Sequence, residues 1–98
     1  MQITYRTNSL ERQCTDFKVA RKDFGKECAL ILHQRIGELE AADSIEMMTK
    51  FGIGRCHPLH GDRKKQYALD LIHPLRLIIK EEKSCNGTVI VVSIEDYH

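Results

Sequence analysis

The sequence predicts an α+β fold, in which an N-terminal strand and a helical hairpin pack on a curved antiparallel sheet of three to five strands. Three observations carry this expectation. Between Leu10 and Ala42 the apolar residues recur at helical spacing. From Arg55 onward they recur at every second position, as in a half-buried strand. The breaks between segments hold Gly, Pro and Asn, residues that turns select for their backbone angles.

Taken in order, Gln2–Arg6 alternates, with Ile3 and Tyr5 on one side, and reads as a short strand. Asn8 or Ser9 is expected to cap the first helix, in which Leu10, Cys14, Phe17 and Phe24 share a face and Gly25 supplies the stop. A second helix is expected from about Glu27 to Ala42. Its stripe is Ala29, Leu32, Ile36 and Leu39, widened by Leu30 and Ile31. That stripe reads as core, and His33 and Arg35, which lie off it, as solvated. A connector over Ala42–Gly54 follows, with Ser44 capping a short turn that holds Met47 and Met48.

The remaining elements are strands. Arg55–Leu59 is a short one, ended by the polar turn His60-Gly61-Asp62-Arg63-Lys64-Lys65. Gln66–Ile72 puts Tyr67, Leu69 and Leu71 on one face. After the tight His73-Pro74 connection, Leu75–Lys80 puts Leu75, Leu77 and Ile79 opposite Arg76, Ile78 and Lys80. Asn86-Gly87 marks a hairpin loop. The final strand starts at Thr88 and carries Glu95, Asp96, Tyr97 and His98 at its end.

Composition narrows the function. The 98 residues suit one domain, residues 1–98, with a modest core that needs no disulfides. No apolar run approaches the roughly 20 residues of a membrane span. The opening Met-Gln-Ile-Thr-Tyr-Arg lacks a signal-peptide pattern, so a cytoplasmic protein without membrane contact is expected. Cys14, Cys28, Cys56 and Cys85 are widely spread and form no Cys-x-x-Cys pair, which leaves zinc little support and suggests reduced, mostly buried thiols. No metal or other cofactor is expected. A net charge of +1 argues at first against nucleic acid. The distribution matters more: from Lys50 to Lys80, seven Lys or Arg residues stand against Asp62 and Asp70, with His57, His60 and His73 in the same window.

Candidate chemical groups converge from separate segments. His57 ends one strand, His60 and Arg63–Lys65 form the next turn, Arg76 sits on the third strand, and Asp96, Tyr97 and His98 finish the last. Imidazoles, guanidinium groups, a carboxylate and a phenol suit metal-free cleavage of an RNA phosphodiester. There the 2′-hydroxyl loses a proton, cations hold the phosphorane, and the 5′-oxygen gains a proton. Histidine serves either proton step because its ordinary pKa, about 6.5, lies near working pH. Arginine matches phosphoryl oxygens with a two-pronged donor. The same residues also fit a solvated basic face with turn histidines, and His73 before Pro74 reads as one of the latter.

Three stretches resemble the HigB branch of the RelE/ParE toxin superfamily, the plasmid maintenance system killer proteins. They are His57-Pro-Leu-His-Gly-Asp-Arg-Lys64, Tyr67-Ala-Leu-Asp-Leu-Ile-His-Pro-Leu-Arg-Leu-Ile-Ile79 and the closing Glu95-Asp-Tyr-His98. They span the C-terminal half, while the helical half agrees in pattern only. The resemblance implies a RelE/ParE-like fold and a type II toxin–antitoxin toxin that cleaves mRNA in the ribosomal A site, a ribosome-dependent endoribonuclease or mRNA interferase working without metal. The implied partners are a HigA-like helix-turn-helix antitoxin, with a toxin–antitoxin heterotetramer as one assembly, and the ribosome with its mRNA.

The family's functional positions fall on His57, Asp96, Tyr97 and His98, supported by Arg63 and Arg76. In the implied roles His57 and His98 are the acid and base, in either order. Asp96 orients an imidazole, Tyr97 stacks on a base or donates its hydroxyl, and Arg76 holds the scissile phosphate. Arg63, Lys64 and Lys65 contact the RNA backbone. The chain departs from the family at His60, where Lys is common, and at Tyr67, where Trp is frequent. His60 is a weaker cation at neutral pH, so it is read either as a phosphate contact or as another proton carrier. Two alternatives stand beside this reading: a ParE-like DNA gyrase inhibitor, and a catalytically inactive RNA- or antitoxin-binding protein. The nuclease reading expects the last three residues to turn onto the face that carries His57 and Arg76.

Overall fold

A computed structural model describes residues 1–63, 65–82 and 87–96. Strand β1 (Gln2–Tyr5) leads to Thr7, whose side chain accepts the Leu10 N–H at 3.1 Å and caps α1 (Asn8–Thr15) one residue earlier than the expected cap. The single helix expected up to Phe24 is broken at Asp16. Its backbone is extended (φ −113°, ψ 110°), and its carboxylate accepts the Lys18 N–H at 3.0 Å to start α2 (Phe17–Phe24). Thr15 donates its hydroxyl to the Glu11 carbonyl at 2.6 Å. Short polar side chains of this kind compete with the helix ladder, which is why a continuous apolar face did not guarantee a continuous helix.

Gly25, at φ 87°, turns the chain into α3 (Lys26–Ala41). Ala29, Leu32, Ile36 and Leu39 are all buried, as the stripe predicts, whereas Leu30 is 52% exposed and falls outside it. His33 and Arg35 are not solvated. The Arg35 side chain retains 15% of its exposure, donates from Nε to the Asp70 carbonyl at 2.7 Å and pairs with Glu38 at 3.1 Å. The His33 ring stands edge-on to Phe17, with centroids 5.5 Å apart. Both positions flank the buried stripe, and a strand-end carbonyl beside it needs a donor. At the other end of α3, the Met1 amino group donates to the carbonyls of Leu39, Glu40 and Ala42 at 2.7–3.1 Å. These carbonyls lack partners within the helix or follow its last turn. Ser44 caps α4 (Ile45–Lys50) as expected, accepting the Met47 N–H at 3.0 Å.

The sheet contains β2 (His57–Pro58), β3 (Gln66–Asp70), β4 (Leu75–Glu81) and β5 (Thr88–Asp96), in the order β1-β5-β4-β3-β2. Neighbours from β2 to β5 are antiparallel, while β1 joins β5 in parallel, so the sheet is mixed at that edge. Strand β2 is shorter than the expected Arg55–Leu59. Arg55 adopts a left-handed φ of 55° at the end of a 3-10 turn, and Pro58 has no N–H for the ladder.

The helices cover one sheet face. Leu69, Leu71, Leu77, Ile79, Val89 and Val91 are buried there against Cys14, Leu32, Leu39, Ile45 and Met48. Ala68, Ile78 and Val92 form a separate small cluster on the opposite, open face, covered in part by Leu59. Cys14, Cys28 and Cys56 are free and buried, and Cys85 lies outside the described residues. Burial pushes the Cys14 thiol up to about 12 and raises the other two, so all three stay protonated at neutral pH. Among the described residues, no helix is long and apolar enough to cross a membrane.

Gly54 and Gly52 provide a test of this packing. Both are left-handed, at φ 61° and 65°. A Cβ on Gly52 meets nothing within 4 Å, but one on Gly54 lies 2.9 Å from Arg35 Cδ and Nε and 3.2 Å from Leu69 Cδ2. Arg35 cannot retreat without losing its bond to Asp70. Gly52→Ala is therefore expected to cost about 1 kcal/mol, from backbone strain alone. Gly54→Ala adds a steric cost of about 1–3 kcal/mol. Urea midpoints of the two variants beside the wild type check the difference.

Candidate functional site

Cross-strand partners share a sheet face, so the register lays out the open face in rows. One row is Asp70–Arg76–Glu95, the next is His57–Ala68–Ile78–Ser93, and a third is Gln66–Lys80–Ile90–Thr4. A β-bulge produces the first of these. Ile78 pairs with Ser93 and Ile79 with Val91, which leaves Val92 as an extra residue. Val91 and Ile94 both belong to the helix-side core although three positions separate them, and Val92 packs on the open face. Strict alternation from Val91 would have sent Ile94 to the open face. The bulge brings it back to the core and turns Glu95 toward Arg76 instead.

Glu95 is held by two side chains on this face. Arg63 donates from Nη1 and Nη2 to its two carboxylate oxygens, both at 2.6 Å. Ser93 donates its hydroxyl to the same carboxylate, and Arg63 Nε donates to Gln66 Oε1 at 3.0 Å. The Arg63 guanidinium holds the Glu95 carboxyl below the usual carboxylate range, assisted by Ser93 and opposed by burial, and the same pairing raises Arg63. Arg63 sits in a 3-10 turn (Gly61–Arg63) between β2 and β3, yet reaches β5. The turn thus spans the open face, with Leu59 resting on Ala68, Ile78 and Val92.

Beside this pair lies a pocket of about 370 Å³, lined by Leu59, His60, Arg63, Arg76, Ile78, Glu95 and Asp96. Four residues singled out in the sequence, His60, Arg63, Arg76 and Asp96, therefore line one opening, although Asp96, as the cross-strand partner of the core-packed Leu75, belongs by register to the helix-side row. His57 is not among the pocket's lining residues. It stands opposite Ala68 in the adjacent row, with Nδ1 2.7 Å from the Arg55 carbonyl. A carbonyl only accepts, so in the neutral ring the proton is assigned to Nδ1 and Nε2 carries the lone pair. Arg55 also pairs through Nε with Asp70 at 3.3 Å. Lys65 lines a different cavity, of about 660 Å³, with Gln66, Tyr67, Lys80 and Glu82 among its walls. Lys64, Tyr97 and His98 lie outside the described residues.

Glu95, Ser93 and Gln66 are the polar residues that sequence reading missed as site members. Glu95 was read only as part of the closing Glu95-Asp-Tyr-His98 motif with no role of its own, and no period-two pattern signals a bulge. Arg55 and Lys65 frame the segment between them in left-handed backbone, at φ 55° and 76°. For residues with a Cβ this costs roughly 1 kcal/mol each or more, and such strain clusters at functional sites.

No family model matches the chain, and no curated protein matches it in sequence. In fold it is similar to the YoeB/ParE toxin from Agrobacterium tumefaciens, with a TM-score of 0.67, 14% identity and full coverage of both chains. It is also similar to the YoeB-YefM complex and to the YoeB dimer, both from Staphylococcus aureus. Each has a TM-score of 0.64 and 18% identity, covering 100% of this chain and 97% of the other. These likenesses establish the RelE/ParE-like fold expected from the sequence.

The lowered Glu95 pKa makes the Arg63 pair pH-dependent. Its contribution to stability is complete above the unfolded-state value, about 4.3, and is lost as pH falls through the lower folded-state value. Both side chains are more than a third exposed, at 39% and 38%, so the contribution stays below about 1 kcal/mol. Glu95→Gln is expected to be slightly less stable than the wild type at neutral pH, and the gap should close on acidification. Urea denaturation across that range measures it.

Proposed function

We propose that this protein is the toxin of a type II toxin–antitoxin system, a HigB-like endoribonuclease that cleaves mRNA on the ribosome by metal-independent acid–base chemistry. The observation that carries the reading is the convergence of His60, Arg63, Arg76 and Asp96 on one open pocket, with His57 in the next row of the same face. The fold supports it, since one similar solved structure is described as a YoeB/ParE toxin and another as a YoeB-YefM complex. By the YoeB-YefM analogy this chain also has an antitoxin partner; the HigB resemblance makes that partner a helix-turn-helix antitoxin and the substrate complex the translating ribosome with mRNA.

In the proposed reaction the lone pair at His57 Nε2 takes the proton of the 2′-hydroxyl, and the 2′-oxygen attacks phosphorus. His98 gives a proton to the departing 5′-oxygen, which breaks the P–O bond and leaves a 2′,3′-cyclic phosphate. The His57 contact to the Arg55 carbonyl favours His57 as the base of the pair, because it fixes the ring with Nε2 as acceptor. Arg76 holds the non-bridging oxygens as charge builds on them. Asp96 orients an imidazole, Tyr97 stacks on a base, and His60, Lys64 and Lys65 contact neighbouring phosphates.

Purified ribosomes programmed with mRNA test the reading. Wild-type protein should cleave. His57→Ala and His98→Ala should each lose roughly 10²–10⁴-fold in rate, the usual contribution of one positioned acid or base. Full cleavage by a chain lacking Tyr97 and His98 would remove that segment from the site. An inert wild type that instead causes gyrase-dependent DNA breaks would make the protein a gyrase inhibitor. In the same system, Lys64→Ala and Lys65→Ala should weaken ribosome binding and flatten its salt dependence by roughly 0.7 per lost phosphate contact.

A further inference from the structure

We infer that Glu95 is a positioning residue whose carboxylate occupies, in the RNA-free protein, the seat of a substrate phosphate on Arg63, and that RNA enters by exchanging a phosphodiester for Glu95. This deepens the nuclease reading and rests on it for the identity of the ligand.

Four features support the exchange. The Arg63 fork is engaged bidentately by the two oxygens of one planar anion, the geometry in which a guanidinium also binds two oxygens of a phosphate. The pair stands at the wall of the pocket that Arg76 also lines, and Glu95 is the cross-strand partner of Arg76, so an anion arriving at Arg76 meets Glu95 directly. Both side chains are half-exposed, so exchange needs no opening of the core. Each half also keeps a partner when the two separate: Ser93 still donates to Glu95, and Gln66 still accepts from Arg63 Nε. A general-base role for Glu95 fits less well, because its depressed pKa makes it a poor proton acceptor at working pH.

The exchange predicts an effect opposite in sign to loss of a structural contact. A carboxylate that only braces the fold should weaken RNA binding when it is removed. One that competes with RNA for Arg63 should strengthen it. Fluorescence anisotropy with a labelled 2′-O-methyl oligoribonucleotide, which cannot be cleaved, reads the affinity of the intact protein. Glu95→Gln should bind more tightly than wild type by on the order of two- to fivefold, the span of exposed ion pairs. Asp62→Asn removes one negative charge from the residue before Arg63 in the same turn without removing either partner of the pair, and should change affinity less. In an Arg63→Ala background the Glu95→Gln gain should vanish. Glu95→Asp, which retracts the same charge by one methylene, should shift affinity in the same direction and serves if Glu95→Gln does not fold. Equal or weaker binding by folded Glu95→Gln, or a gain that survives without Arg63, would overturn the exchange. The ribosome assay separates the two levels: an inert wild type removes the nuclease reading, whereas the affinity order alone decides the exchange.

Discussion

One extra residue in one strand sets the character of this protein's open face. Val92 has no partner across β4, and the pairing shifts by one position between Ile78 and Ile79. Before the bulge, Val89 and Val91 feed the helix-side core; after it, Ile94 does. Without the extra residue, the strand would bury Glu95 under the helices and expose Ile94. With it, a carboxylate stands opposite Arg76 and within reach of Arg63. A bulge weakens the ladder locally, and here the loss is met by Val92 packing on Ala68 and Ile78 and by the ion pair that ties the crossing turn to β5.

The two faces of the sheet do different work. The helix side holds the long aliphatic side chains and the protonated thiols, and the hydrophobic effect stabilises the domain there. The open side has a small apolar floor of Ala68, Ile78 and Val92, with Arg76 and Glu95 at one end, Lys80 and Gln66 at the other, and Arg63 reaching both Glu95 and Gln66. A nearly neutral chain can present such a surface because its cations are concentrated on a few segments, not because it is basic throughout. The left-handed Arg55 and Lys65 mark the two ends of the segment that crosses this face.

Much of this was legible in the sequence, and the reasons differ by element. The buried stripe of α3 was readable because one face is packed and the other is not, and the alternation of β3 and β4 because Leu69, Leu77 and Ile79 all point to the helix-side core, even though Ala68 and Ile78 are buried on the other face. The break at Asp16 was hidden, because the apolar spacing continues across it while a capping carboxylate ends the helix. Arg35 was assigned to solvent because it lies off the apolar stripe, yet its stem lies beside Gly54 and its Nε meets the Asp70 carbonyl. The bulge left no trace, since Val91, Val92 and Ile94 are all acceptable on either face of a strand. His60, Arg63, Arg76 and Asp96, which line the pocket, were singled out by residue type and by resemblance. Glu95 was not, because its place beside Arg63 and Arg76 depends on register and register is a tertiary property.

The claim on which the account depends is that the open sheet face, not the helical layer, receives RNA. Methyl-detected NMR during titration with a non-cleavable oligoribonucleotide tests it directly. Ala68, Ile78 and Val92 should show saturable shifts, while Leu32 and Leu39, buried beneath the helices, stay in place. Shifts centred on the exposed Leu30 and Met47 of the helical layer, with the Ala68–Ile78–Val92 cluster silent, would contradict it.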